Sequence, residues 1–212
     1  MTVQTVEMYV DPACPWAWLT SRWLLEAEKV RPFTVVTRVF SLAEVNKDRK
    51  EFQEHLDALA RSPRVLVAAR RAGGEAAIRA VYTELGESHH ERNEPLNDEV
   101  TLRAAVTAAG LDASLVASAL SDDDIQAEVL AEHQAVADRG AFGVPTLSID
   151  GSAAYFGPIV DRRITGEEAG KLWDIAVPLL LHPYVFELKR TRTSGPDTGS
   201  SRIRQEASTT SV

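Results

Sequence analysis

Asp11-Pro12-Ala13-Cys14-Pro15-Trp16-Ala17-Trp18 is the stretch on which the reading of this chain turns. It follows a β-forming run, Val3 to Val10, and it opens a segment in which Leu19, Trp23, Ala27 and Val30 recur at helical spacing. Asp11-Pro12 is turn chemistry, and Pro15 suits a first helical turn, where its missing N–H costs nothing. Arg31-Pro32 ends the helix, and Phe33 to Phe40 reads as a second strand. A β-α-β unit of this length implies parallel strands joined by a right-handed crossover. Cys14 then stands at a helix N-terminus, before unpaired backbone N–H groups and the positive end of the helix dipole. Such a place favours the anion, so Cys14 is expected to titrate below the roughly 8.5 of a free cysteine and to act as a nucleophile.

Composition narrows the rest. The chain has 212 residues, 44% of them hydrophobic, and a net charge of -8, which is enough to bury a real core. A single cysteine builds neither a disulfide framework nor a zinc knuckle. The net negative charge disfavours a general nucleic-acid role, and no apolar run approaches bilayer length. With no apolar signal core ahead of the first strand, a soluble cytoplasmic protein is expected. Its partners are then small molecules or other proteins, and a homodimer is admitted.

From about Lys47 to Asp138 the periodicity is helical. Ser62-Pro63 reads as a cap followed by proline at the first helical position, Gly73-Gly74 as a break, and Gly110-Leu111-Asp112 as the end of one helix and the cap of the next. Ser121-Asp122-Asp123-Asp124 opens another helix, its acids serving the helix start rather than a metal. His89-His90 reads as a solvated helix tip rather than a ligand pair. Strand character returns at Thr146 to Ile149 and at Ala153 to Phe156, with Asp150-Gly151 as a hairpin turn between them. Thr165-Gly166-Glu167-Glu168 has the form of a capping box before a helix through Trp173, in which Pro178 is expected to introduce a bend. The Ser/Thr/Gly-rich tail, 193–212, is expected to be disordered.

The order β-α-β, helices, β-β-α, with Cys14-Pro15-Trp16-Ala17 at the first helix and Gly143-Val144-Pro145-Thr146 at the third strand, resembles the α/β thioredoxin fold with the large all-helical insertion of the DsbA-like family. Within it the chain is similar to the actinobacterial mycothiol-dependent oxidoreductases, also called mycothiol-dependent nitroreductases. The segments that carry the likeness are Asp11 to Trp23, Ser41-Leu42-Ala43, Phe156-Gly157-Pro158, Gly166 to Asp174 and Phe186 to Thr193. The resemblance implies a thioredoxin-fold domain over 1–42 and 139–192, a helical insertion over 43–138, and a cis peptide at Val144-Pro145 lying against Cys14. It also implies thiol chemistry with mycothiol as the low-molecular-weight co-substrate and no tightly bound cofactor or metal.

One departure governs mechanism: Ala17 stands where a dithiol relative has its second cysteine. An internal disulfide cannot form, so an external thiol must resolve any adduct on Cys14. Pro15, Trp16, Ala17, Val144 and Pro145 are expected around the bound thiol, the Val144 backbone pairing with it. His90 is placed at the cleft by the resemblance. Tyr155 and Phe156 either line an acceptor pocket or pack the hairpin, and Asp11 reads as a turn cap in preference to a buried acid tuning Cys14. The leading function is a monothiol oxidoreductase reducing a disulfide or small electrophile. The alternatives are a thiol-dependent isomerase or transferase, and a non-catalytic binding module.

Overall fold

The computed structural model describes residues 4–200. Strand β1 (Gln4–Val10) leads through the Cys14 loop into helix α1 (Pro15–Glu28) and then β2 (Phe33–Val39). β1 and β2 pair in parallel, from Gln4 opposite Phe33 to Val10 opposite Val39. β3 (Thr146–Ile149) lies antiparallel on the other side of β1, with Tyr9 opposite Thr146, and β4 (Tyr155–Phe156) is antiparallel to β3. The sheet order is therefore β2-β1-β3-β4. Asp150 and Gly151 turn the hairpin with φ of 49° and 73°, the left-handed backbone such a turn demands. Between β2 and β3 run helices α2 (Leu42–Val45), α3 (Leu56–Gly86), α4 (Glu99–Ala108), α5 (Ser114–Ser121) and α6 (Asp123–Ala137). Helix α7 (Gly166–Leu180) follows the hairpin and packs against α1.

Helix α1 is buried on more than one side, which fixes the cysteine at its start. Trp18 packs towards α3, where it meets Tyr82 edge-on and lies so close to Gly86 that a Cβ there would sit 2.2 Å from its ring. Trp23 packs towards α7, its Nε1 donating to the Ala169 carbonyl at 3.0 Å. Phe33 of β2 stacks on Trp173 of α7 at 3.7 Å between centroids.

Several local expectations change. Ser62-Pro63 does not begin a helix: both are interior to α3 and buried. The break expected at Gly73-Gly74 is present, the backbone of both residues leaving helical geometry. Thr165 takes the cap position of α7, but its side chain accepts no hydrogen bond, and the Gly166 N–H reaches Glu26 Oε2 at 3.3 Å instead. Asp122 does cap α6, accepting from the Asp124 N–H at 2.8 Å. His89-His90 is not a solvated tip, because it lies in a single π turn, Glu87–Glu91, with His90 buried. Of the tail expected to be disordered, residues 193–200 are placed and hydrogen-bonded, while 201–212 fall outside the described residues.

Candidate functional site

Cys14 caps α1 from an extended backbone, φ -91° and ψ 112°. Its N–H donates to the Asp11 carbonyl at 3.0 Å, closing the turn that delivers it. Asp11 braces that turn twice, Oδ1 accepting the Ala13 N–H at 2.9 Å and Oδ2 the Leu42 N–H at 2.8 Å, so one carboxyl joins the cysteine loop to the start of α2. Asp11 is wholly buried, and burial pushes its carboxyl up to about 7 against the pull of those two N–H groups.

The Cys14 sulfur accepts the Ala17 N–H at 3.4 Å and donates its own hydrogen to the Val144 carbonyl at 3.5 Å, across 130 residues. The Val144–Pro145 and Gly157–Pro158 bonds are both cis, and the Gly157 N–H donates to the Pro145 carbonyl at 2.9 Å. The thiol is thus a donor here, which requires its proton. Cys14 is only 8% exposed, and burial pushes the thiol up to about 11, opposed by the N–H groups of Ala17 and Trp16. This overturns the expectation of a depressed thiol. The helix-start donors are in place, but in this arrangement the dry surroundings outweigh them.

His90 does not aim at the sulfur. Its Nε2 lies 2.8 Å from the Pro12 carbonyl, and since a carbonyl only accepts, Nε2 carries the hydrogen. Burial, with His89 beside it, lowers His90 to about 4, so the ring is neutral and stacks against Trp18 at 6.0 Å. It holds the cysteine loop from the insertion. Trp16 is half-buried beside Cys14, with the Arg192 guanidinium 4.7 Å from its ring centre. Phe156 is 39% exposed and pairs with Phe142, which is 68% exposed, at 4.8 Å. The two make an apolar edge beside Gly143, from which a Cβ would lie 3.4 Å from the Phe156 ring. Tyr155 is half-buried in the hairpin.

Sequence reasoning missed Phe142 and Arg192. Phe142 directly precedes Gly143-Val144-Pro145, a position that could have marked it. Arg192 lies in the C-terminal segment that carries the family likeness. Chemically, the arrangement presents one sulfur, a carbonyl at hydrogen-bond reach on one side, backbone N–H groups on the other and aromatic rings nearby.

Residues 13–190 match the family described as "Rv2466c-like: Mycothiol-dependent nitroreductase Rv2466c". The chain belongs to the Rv2466c-like family. A relative in Mycobacterium tuberculosis, described as uncharacterized protein Rv2286c, is 30% identical over 191 residues, covering 89% of this chain and 83% of that protein. Among solved structures, the probable DsbA oxidoreductase SCO1869 from Streptomyces coelicolor superposes with a TM-score of 0.58 at 22% identity, over 92% of this chain and 97% of that one. The cytosolic disulfide reductase DsbM from Pseudomonas aeruginosa gives 0.57 at 15% identity, over 82% and 99%. The fold of this Rv2466c-like protein is accordingly the DsbA-like thioredoxin fold with a helical insertion, and its family is described as one of mycothiol-dependent nitroreductases, a class of oxidoreductase. Among the described residues no helix is long and apolar enough to cross a membrane.

Proposed function

We propose that this Rv2466c-like protein is a monothiol oxidoreductase in which Cys14 reduces a disulfide or small electrophile and an external thiol, mycothiol, regenerates it. The observation that carries this reading is the surrounding of the chain's one sulfur-bearing nucleophile: Cys14 caps α1 against the Val144 carbonyl, and the residue whose N–H touches it, Ala17, has no thiol of its own. The family description supports mycothiol as the thiol. On a disulfide acceptor, Cys14 loses its proton to solvent and its sulfur attacks one acceptor sulfur. The acceptor S–S bond breaks, its other sulfur leaves as a thiolate, and a mixed disulfide forms on Cys14. The external thiolate then attacks the adduct and displaces Cys14, so that the adduct leaves as a disulfide with the external thiol; a second external thiol reduces that product, two thiols being oxidised per acceptor reduced. Trp16, the Val144 backbone, Pro145, and the Phe142–Phe156 edge form the surface on which the acceptor lies. In this reading residues 1–42 and 139–192 make up the catalytic domain and residues 43–138 the insertion, with His90 as the insertion's hold on the cysteine loop.

Intact-protein mass spectrometry tests the mechanism. After reaction with a disulfide acceptor, the Cys14 adduct persists until external thiol is added. Ala17→Cys sheds it without added thiol, because positions 14 and 17 lie one helical turn apart and can close a disulfide. A native chain that releases its adduct as fast as Ala17→Cys does, with no thiol present, is not a monothiol enzyme.

A further inference from the structure

Beyond α7 the chain runs back to the start of α1 as a strap. Its far end is held by polar contacts: Ser194 Oγ donates to Asp161 Oδ2 at 2.6 Å, the Asp197 N–H to the Asp161 carbonyl at 2.7 Å, and the Thr198 hydroxyl to the His90 carbonyl at 2.6 Å. Two residues before the first of these, Arg192 lays its guanidinium over the ring of half-buried Trp16. Among the described residues Arg192 makes no ion pair with a carboxylate.

The two residues that follow Cys14, Pro15 and Trp16, carry no charge, so a cation for the sulfur has to come from elsewhere. From the loop, Asp11 acts against the anion; from α3, Tyr82 faces it with a hydroxyl that burial holds well above its ordinary range and therefore neutral; from the π turn, neutral His90 is turned to Pro12. The strap brings Arg192 onto Trp16, two residues from Cys14, and of the two charged groups that act on the thiol, Asp11 and Arg192, it is the one that favours the anion.

We propose that Arg192 is a positioning residue for the Cys14 thiolate, a positive charge stacked on Trp16 that favours the anion formed before attack and released again at resolution. Stacking gives the guanidinium a fixed place without a carboxylate partner among the described residues. The role rests on the reading of Cys14 as the nucleophile.

Cys14 is the chain's only thiol, so alkylation by iodoacetamide, a neutral reagent, reports on it whether or not any acceptor is turned over. Rates across about pH 7 to about pH 10 are expected to order by charge. Arg192→Ala is slower than native by about threefold and Arg192→Glu by about tenfold, both curves displaced to higher pH, while Arg192→Lys stays within about twofold. Salt near about 1 M shrinks the gap. An order set by side-chain size, with Ala as fast as native or faster and Glu no slower than Ala, overturns the proposal, since that is what a mere cover would give. Charge-ordered alkylation with no thiol-dependent turnover keeps Arg192 in this role and removes the oxidoreductase reading instead.

Discussion

Asp11 and His90 both brace the loop before Cys14, one by accepting N–H groups and the other by donating to Pro12; burial keeps the Asp11 carboxyl protonated up to about pH 7 and the His90 ring neutral down to about pH 4. Their effects on stability run in opposite directions. Between about pH 4 and about pH 7 the folded chain keeps a proton on Asp11 that the unfolded chain releases, so this contribution falls as pH rises, by up to roughly 4 kcal/mol. Between about pH 6.5 and about pH 4 the unfolded chain takes up a proton that folded His90 refuses, so stability falls as pH drops, by up to roughly 3 kcal/mol. The two slopes oppose each other in the native protein. Urea unfolding of Asp11→Asn should therefore show its stability relative to native growing from about pH 4.5 to about pH 7, on top of a constant loss from one unaccepted N–H, while His90→Gln gains relative to native as pH falls. Stability curves parallel to native for both variants would show that neither group is held neutral. Asp11 as a turn residue was legible from Asp11-Pro12, because the Ala13 contact is local. Its second bond, to Leu42, spans 31 residues, and His90 reaches Pro12 across 78, so no local pattern could announce either.

Among the elements, periodicity was legible wherever burial itself is periodic. β1, α1 and β2 alternate or repeat with the spacing of their buried faces, and Asp150-Gly151 states its turn outright. Helix α3 was not, because Pro63 usually marks a first turn, and here the packing of Val65, Leu66 and Ala69 carries the helix through it. The sequence also carries no sign that Gly86 is a contact point. A Cβ at Gly86 would stand 2.2 Å from two atoms of Trp18, itself fully buried with Tyr82, His90 and the Arg22 guanidinium against its ring. Gly170, by contrast, faces the end of the Arg31 side chain at 2.8 Å and a methyl group of Val30 at 2.9 Å; the arginine can swing at the expense of its pairs with Glu167 and Asp174, and Val30, 37% exposed, can turn towards solvent. Gly86→Ala is expected to destabilise by about 3 kcal/mol and Gly170→Ala by about 1 kcal/mol or less, as measured by denaturant unfolding. Equal costs would mean that α1 and α3 separate more easily than their packing implies. Because Trp18 follows the Cys14 turn directly, Gly86→Ala should also raise the alkylation rate of Cys14.

At the scale of the whole molecule, the insertion, the cysteine loop and the C-terminal strap meet at His90: its ring holds the loop, and its carbonyl holds Thr198. The tail's composition pointed to disorder because it lacks apolar periodicity, and the structure shows why that signal misleads up to residue 200: the partners are Asp161 and a backbone carbonyl 108 residues away, and neither requires an apolar residue on the strap. Tyr184, Phe186 and Leu188 are 83%, 91% and 80% exposed, so the stretch between α7 and Arg192 has no apolar anchorage, and its hold depends on the polar contacts at its far end. Such a segment opens locally without global unfolding. Trypsin can cut after Lys189, Arg190 and Arg192 once it opens, which makes proteolysis a measure of the hold. Removing two side-chain contacts with Ser194→Ala and Thr198→Val should weaken it by about 1 kcal/mol each at most and speed cleavage at these positions by about tenfold, with cleavage at Arg103 in α4 unchanged. Cleavage at the native rate in the double variant would mean that the Asp197 backbone contact alone seats the strap, and that Arg192 keeps its place on Trp16 without help from Thr198.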